Sequence, residues 1–486
     1  MNLVNQKHTW MVGAMCLMVG ALWFAVPHPV VALAVCVLPL AIAFVLHQPF
    51  LMVLAFVLFS FFRLHEVVPQ LYNFKLPLML SLASMFVLAW HTIVTRKLKT
   101  WWRPELTVLS TFFVLVVLGV ALASNRPIAI SYFQNIYWKI ALMTFAIAWL
   151  TRRQQDFALA SVLITGSGIL VGTVALMNKA NGIGLVEGTR VTIGRDLGSM
   201  LGDPNDLALV LMFPAAFAVS LLTTRNAHAL LRLLGAIAVP ILFMAVIATQ
   251  SRGGLLGIMA VFGVFGYRRI KSKTLLLAIA ACAALVLYLA AGISERASGG
   301  AAEAGLDASA AGRLYAWEAA IGMALHNPLT GVGLDNFYSN YFFYSNHWDG
   351  LPHAVHSTWF GVLAETGFLG LGVFIWLIVT LLRSAATSLA RIERHARDKA
   401  PMVHVAAQAV LAGLLGTIIS GTFLTQGFNW PIYILAALII ALARWVECNV
   451  EDTALSAAVP PAPFATRKAI RKTPATALVP RSPRTP

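Results

Sequence analysis

The chain is short of charge, shorter still of acidic residues, and nearly without cysteine. Charged side chains make up 11% of its 486 residues, against 59% hydrophobic ones. A water-soluble fold of that balance would leave large apolar areas exposed, whereas repeated apolar spans suit a polytopic membrane protein, as does a mean hydropathy of +0.79. Of the four cysteines, Cys16, Cys36 and Cys282 lie in apolar spans and Cys448 follows the last one. No pair among them suggests a disulfide framework or a zinc site, so redox chemistry is not indicated. The 19 acidic residues leave the 35 Lys and Arg with a net charge of +16. That surplus stands in short clusters between hydrophobic spans and not on one basic face, which argues against a nucleic-acid partner.

Hydrophobic runs fall at about 10–25, 30–46, 50–62, 76–94, 106–123, 128–150 and 157–177, then from Asp203, up to Thr249, from Arg252, and at 274–292, 356–382, 403–423 and 432–446. This predicts an all-α bundle of about twelve to fourteen spans. The first run follows Lys7 and reads as an uncleaved signal anchor, because further spans succeed it. Placing the N-terminus in the cytoplasm puts about 25 of the 35 Lys and Arg on that side, as the positive-inside rule requires. Both termini are then cytoplasmic. The connections 63–75, 124–127, 178–203, 249–253 and 294–355 share the outer side. Residues 1–450 form the membrane domain, including the long outer loop 294–355. The tail 451–486, rich in Pro, Ala, Thr and Arg without an apolar period, reads as a disordered cytoplasmic extension.

Chemistry is sought where the outer connections meet the spans. Arg252, in Ser251-Arg252-Gly253-Gly254, is an outer-side charge where the topology rule disfavours one. Its guanidinium suits bidentate bonds to phosphate, and the glycines would let backbone approach a ligand. Arg190 and Arg195 lie in a Gly-rich connection and are placed to join it. Asp203 and Asp206 are residues of a type that can hold a metal, but Asp203-Pro204-Asn205-Asp206 is read as a helix start with Asp203 as the cap. No Asp-x-Asp pair occurs in the long loop. Lys139, inside the sixth run, is a site candidate or a snorkelling side chain.

Within the loop, 311–325 predicts a helix with Leu314, Trp317, Ile321 and Leu325 as its apolar stripe, stopped by His326-Asn327-Pro328. The aromatic run Tyr338, Tyr341, Phe342, Phe343 and Tyr344 is placed to cover a ligand. His356 begins the next span at the water boundary, and its residue type titrates near neutrality, so it is the base candidate ahead of His326, His347 and His353. Glu365, nine residues on, faces the other side about 13 Å deeper and is expected to pair within the bundle.

His356-Ser357, nine intervening residues and then Gly367-Phe368-Leu369-Gly370 resemble the histidine motif of the lipid A core O-antigen ligase and O-antigen polymerase superfamily. Arg195 to Asp206 with its Gly-Asp-Pro-Asn-Asp element, Ser251 to Gly254, and Arg313 to Phe337 with His-Asn-Pro-Leu-Thr-Gly-Val-Gly are similar to the same family, in the expected order. The resemblance implies a GT-C-type enzyme of the bacterial inner membrane that needs no metal, cofactor or nucleotide sugar. It transfers a glycan from undecaprenyl diphosphate, at the periplasmic face, to a hydroxyl of lipid A core or another glycan or protein acceptor. Carried over by motif, His356 is the general base, Arg252 with Arg195 or Arg190 the diphosphate ligands, and Arg313 a supporting group. A polymerase of the same glycan would use the same chemistry. A transporter of polyprenyl-linked sugars would need no base, and its usual repeated halves are not detectable here.

Overall fold

The computed structural model describes residues 41–71, 74–290, 308–348 and 350–451, with isolated positions 20 and 37. The expected first span, most of the second, part of the long loop and the tail lie outside the described residues. The remainder is an all-α polytopic bundle in which each expected span is helical. Among the described residues there is no β-strand, only an isolated bridge between Val186 and Arg190.

Eight described helices are long and apolar enough to cross a membrane, or nine if one bent pair is a single span. The shortfall from the expected number has physical causes as well as the undescribed residues. Ala41–His47 and Pro49–Ser60 meet at 97°, because Pro49 at the start of the second helix has no N–H to continue the first. A π-turn, Phe133–Tyr137, separates Arg126–Tyr132 from Trp138–Leu150. Arginines stand at both ends of Arg252–Arg269, and Lys273–Leu285 is short.

The centre of the bundle is made by Pro204–Thr223, Pro401–Gly421 and Trp430–Val450, whose apolar stretches are mostly buried, while that of Leu76–Val94 is mostly exposed and lies on the periphery. Close contact at the centre depends on small residues. A Cβ on Gly254 would stand 2.5 Å from the Ala208 Cβ, so the Arg252 helix can lie against the Pro204 helix only with glycine there. Gly254 therefore serves helix packing, while Gly253 lines the opening beside Arg252.

The long loop is joined to the bundle through a break in Thr358–His395. At Gly367 the backbone turns to φ 68°, a region that favours glycine. The break leaves carbonyls and an N–H without their helical partners, and the His326–Phe337 segment supplies replacements. Val332 N–H donates to the Ala364 carbonyl at 2.8 Å, Gly333 N–H to that of Glu365 at 3.2 Å, and Phe368 N–H to that of Pro328 at 2.8 Å. The Glu365 carboxylate accepts from Asp335 N–H at 2.9 Å, so it holds this loop instead of pairing with a basic side chain. Asn336, fully buried, accepts from Asn125 N–H at 2.9 Å and donates to the Asn125 carbonyl at 3.2 Å, fixing the same loop to the 124–127 turn.

Ala308–His326 is a helix as expected, but its stripe is not the expected one. Ala316, Ala319, Ala320 and Met323 face inward, and Leu314, Ile321 and Leu325 are exposed. Small residues permit the close approach to Phe337, Tyr341 and Ala364 that the larger leucines would block. Trp317 alone of the expected stripe turns in, stacking on Phe360 with ring centroids 4.9 Å apart and donating to the Val355 carbonyl at 3.0 Å.

Candidate active site

Three helices begin together, and each is capped by the residue before it. Asp203 accepts from the N–H groups of Asn205 and Asp206 at 2.7 and 3.2 Å. Ser251 accepts from Gly254 N–H at 3.1 Å, and Ser357 from Phe360 N–H at 3.5 Å. The cap reading of Asp203 thus holds. The turn between the last two long helices ties these starts to one another. Thr358 Oγ1 donates to the Gly421 and Leu424 carbonyls at 2.7 and 2.8 Å and accepts from Gln426 N–H at 3.1 Å. Gln426 Nε2 in turn donates to Asp206 Oδ1 at 2.9 Å.

One small pocket opens at this junction, lined by Asn205, Ser251, Arg252, Gly253, Arg313, Phe423 and Leu424. Arg252 and Arg313, 61 residues apart in sequence, are thereby brought to the same opening. Helix N-termini carry partial positive charge and unpaired N–H groups, and two guanidinium groups add full charges beside them. The physical preference of such an opening is for an anion with several acceptor oxygens.

His356 immediately precedes the Ser357 cap and is half-buried. Its backbone is left-handed at φ 44°, uncommon for a residue with a side chain. Burial lowers its pKa from the ordinary 6.5, and the positive charge of Arg313 lowers it further, against an opposing pull from Asp203. The neutral imidazole, able to take up a proton, is therefore favoured close to the arginine pocket. Two of the competing histidines are engaged elsewhere: His326 Nδ1 lies 2.8 Å from the Gly322 carbonyl, and His347 stacks on Tyr315 at 3.6 Å. His353 stands edge-on to Tyr341, ring centroids 5.5 Å apart.

The two arginines of the Gly-rich connection have different surroundings. Arg190 is buried, with Nη2 donating to Asn205 Oδ1 at 2.9 Å, Nε donating to the Thr249 carbonyl at 3.2 Å, and Nη1 3.8 Å from Glu187. It braces Asn205, a pocket residue, and the turn leading to Arg252. Arg195 is exposed, and its guanidinium donates from Nη1 to the Gly202 carbonyl at 3.4 Å, next to Asp203. Glu66, buried in the 63–75 connection, holds the Arg195 turn in place by accepting from the Ser199 hydroxyl. Lys139 is not at the site: its Nζ donates to the Asn135 carbonyl at 2.7 Å beside the π-turn.

Sequence reasoning missed Asn205, Thr358 and Gln426 as members of this constellation. Asn205 is adjacent to Asp206 and Thr358 is two positions after His356, so each lies beside a residue that the motifs single out. Gln426 carried no local signal, since its place follows only from the meeting of distant turns.

Residues 236–375 match the family model described as O-antigen ligase. That range contains Arg252, Arg313 and His356, while Arg190 and Arg195 precede it. No curated protein matches the chain. The match covers 140 of the 486 residues, a segment similar to O-antigen ligases, and together with the apolar helices it supports a membrane ligase or polymerase role.

Proposed function

We propose that this protein is a glycosyltransferase of the bacterial inner membrane that moves a glycan from undecaprenyl diphosphate to an acceptor hydroxyl at the periplasmic face. The observation that carries the reading is a histidine disfavoured from protonation beside a pocket that holds Arg252 and Arg313 at the meeting of three helix N-termini. In the reaction the acceptor oxygen bonds to the anomeric carbon and its proton passes to the His356 imidazole. The bond from that carbon to the diphosphate oxygen breaks, and its electron pair leaves with the diphosphate. Arg252 meets the charge that develops there, with Arg195 at the rim and Arg313 supporting both phosphate and base. Arg190 acts through Asn205 as a positioning residue. The guanidinium groups take the part that a metal has in other diphosphate chemistry.

In this reading the 294–355 loop is periplasmic, residues 1–450 are the catalytic membrane domain, and 451–486 extend into the cytoplasm. The acceptor is lipid A core or another envelope glycan or protein. A polymerase extending the same glycan would need the same groups.

The test is transfer by reconstituted full-length protein from undecaprenyl-diphosphate glycan to separate acceptors: lipid A core, glycan and protein. Wild type is expected to form product that grows linearly with enzyme, insensitive to EDTA. His356→Ala is expected to retain donor binding while slowing transfer roughly 10²–10⁴-fold, the range for loss of a general base. Equal product from the variant rejects His356 as base. Movement of donor across the bilayer without any covalent product overturns the enzyme reading in favour of a transporter.

A further inference from the structure

The opposite end of the bundle carries a groove that the transfer chemistry does not use. The helical stretch 126–150 starts beside Asn125, which is bonded to Asn336 near the candidate site, and runs about 37 Å at 1.5 Å per residue to Leu150. There the 97° bend at Gln48 leaves an open-sided groove of about 590 Å³ between Ala41–His47, the end of Leu76–Val94 and the start of Gln154–Asn181. His91 secures the bend, with Nε2 2.9 Å from the Leu46 carbonyl and Nδ1 3.2 Å from Thr95 Oγ1.

The lining is divided. Leu46, Phe50 and Trp90 form an apolar wall, and the exposed Lys97, Arg152 and Arg153 form a cationic rim. Asp156 is the carboxylate in the lining, and its Oδ2 accepts from the backbone N–H groups of Arg152 and Arg153 at 2.8 and 2.7 Å. It offsets part of the positive charge and leaves a surplus. The wall is continuous with a peripheral helix face on which Phe86, Ile93 and Val94 are exposed. A ligand can therefore enter sideways from a bilayer without leaving it.

We propose that this groove binds an anionic phospholipid of the surrounding bilayer, with the phosphate on Lys97, Arg152 and Arg153 and the upper part of an acyl chain along Leu46, Phe50 and Trp90. Charge complementarity selects the anion. The apolar wall selects an amphiphile over free phosphate, which would gain nothing from covering the partly exposed Leu46 and Trp90. The site stands apart from the arginine pocket and does not depend on the transfer reaction.

Full-length protein purified in neutral detergent is given dioctanoyl phosphatidylglycerol, dioctanoyl phosphatidylcholine or glycerol phosphate, and bound ligand is counted by native mass spectrometry. Retention of phosphatidylglycerol over the other two is expected. Replacing Lys97, Arg152 and Arg153 together by Gln should weaken it on the order of a hundredfold, from roughly fivefold per cation. Trp90→Ala, which leaves the cations in place, should also weaken it, and this variant keeps the test open if the triple variant fails to fold. Equal binding of phosphatidylcholine, or glycerol phosphate displacing the lipid, overturns the proposal, as does undiminished binding by the variants.

Discussion

Arg313, on the helix of the long loop, stands near enough to His356 for its charge to disfavour the imidazolium, adding to the effect of burial. The pair joins a loop helix to the start of a membrane span, so the proposed base takes part of its acidity from a residue 43 positions away. The sign is fixed by the neutral form being the one that accepts a proton. With the pKa held below 6.5, the acid limb of the transfer rate should lie below that pH. Arg313→Gln removes a lowering influence, so the limb should move to higher pH. A pH–rate profile of both proteins with saturating donor checks this, and an unmoved limb separates Arg313 from the base.

Arg252→Ala should cost on the order of a few kcal/mol of transition-state stabilisation, and Arg252→Lys less, because lysine keeps the charge but loses the planar fork. Both should insert normally, since the Ser251 cap and the Gly254 packing remain. Values of kcat/KM measured with the reconstituted enzyme decide it. Full activity in Arg252→Ala would leave the residue a bystander.

Arg190 and Arg195 should separate by readout. Arg190→Ala deprives Asn205 and the Thr249 carbonyl of their donor, and should lower thermal stability by about 1–3 kcal/mol together with activity. Arg195→Ala breaks one long bond at the surface and should leave stability unchanged while raising KM for the lipid-linked donor. Thermal unfolding in detergent alongside steady-state kinetics distinguishes the two.

Gly367→Ala should be poorly tolerated. The new Cβ would meet the Pro328 carbonyl oxygen at 2.5 Å on a backbone at φ 68°, so at least about 2 kcal/mol should be lost from strain and displaced loop contacts. Gly372→Ala, five residues along the same helix with nothing within 4 Å of the added carbon, should be neutral or slightly stabilising. Melting temperatures of the two variants make the comparison.

Reporter fusions at Gly299 and after Pro486 should report opposite compartments, the first periplasmic and the second cytoplasmic. The same compartment for both would remove the proposed site from the periplasm.

Much of the bundle was legible because hydrophobic length and charge placement are local properties. A run of apolar residues forms a helix in lipid whatever its neighbours do, and arginine clusters mark its ends. Caps were legible for the same reason, as Asp203-Pro204 and Ser251 show. The inward face of Ala308–His326 was not. Hydrophobicity ranks leucine above alanine, but the neighbouring helix rewarded the smaller side chain, and that neighbour is set by tertiary contacts.

The sequence by itself determined that this is an all-α membrane protein, and that His356, Arg252 and the Arg313–Phe337 segment resemble one family's motifs. Only the tertiary structure decided which of these meet. The break at Gly367 exposes backbone groups that the loop at Val332 and Gly333 satisfies, and this docking carries Arg313 to His356. Burial and charge then disfavour protonation of the imidazole, and both depend on through-space distance, which the order of residues along the chain does not specify.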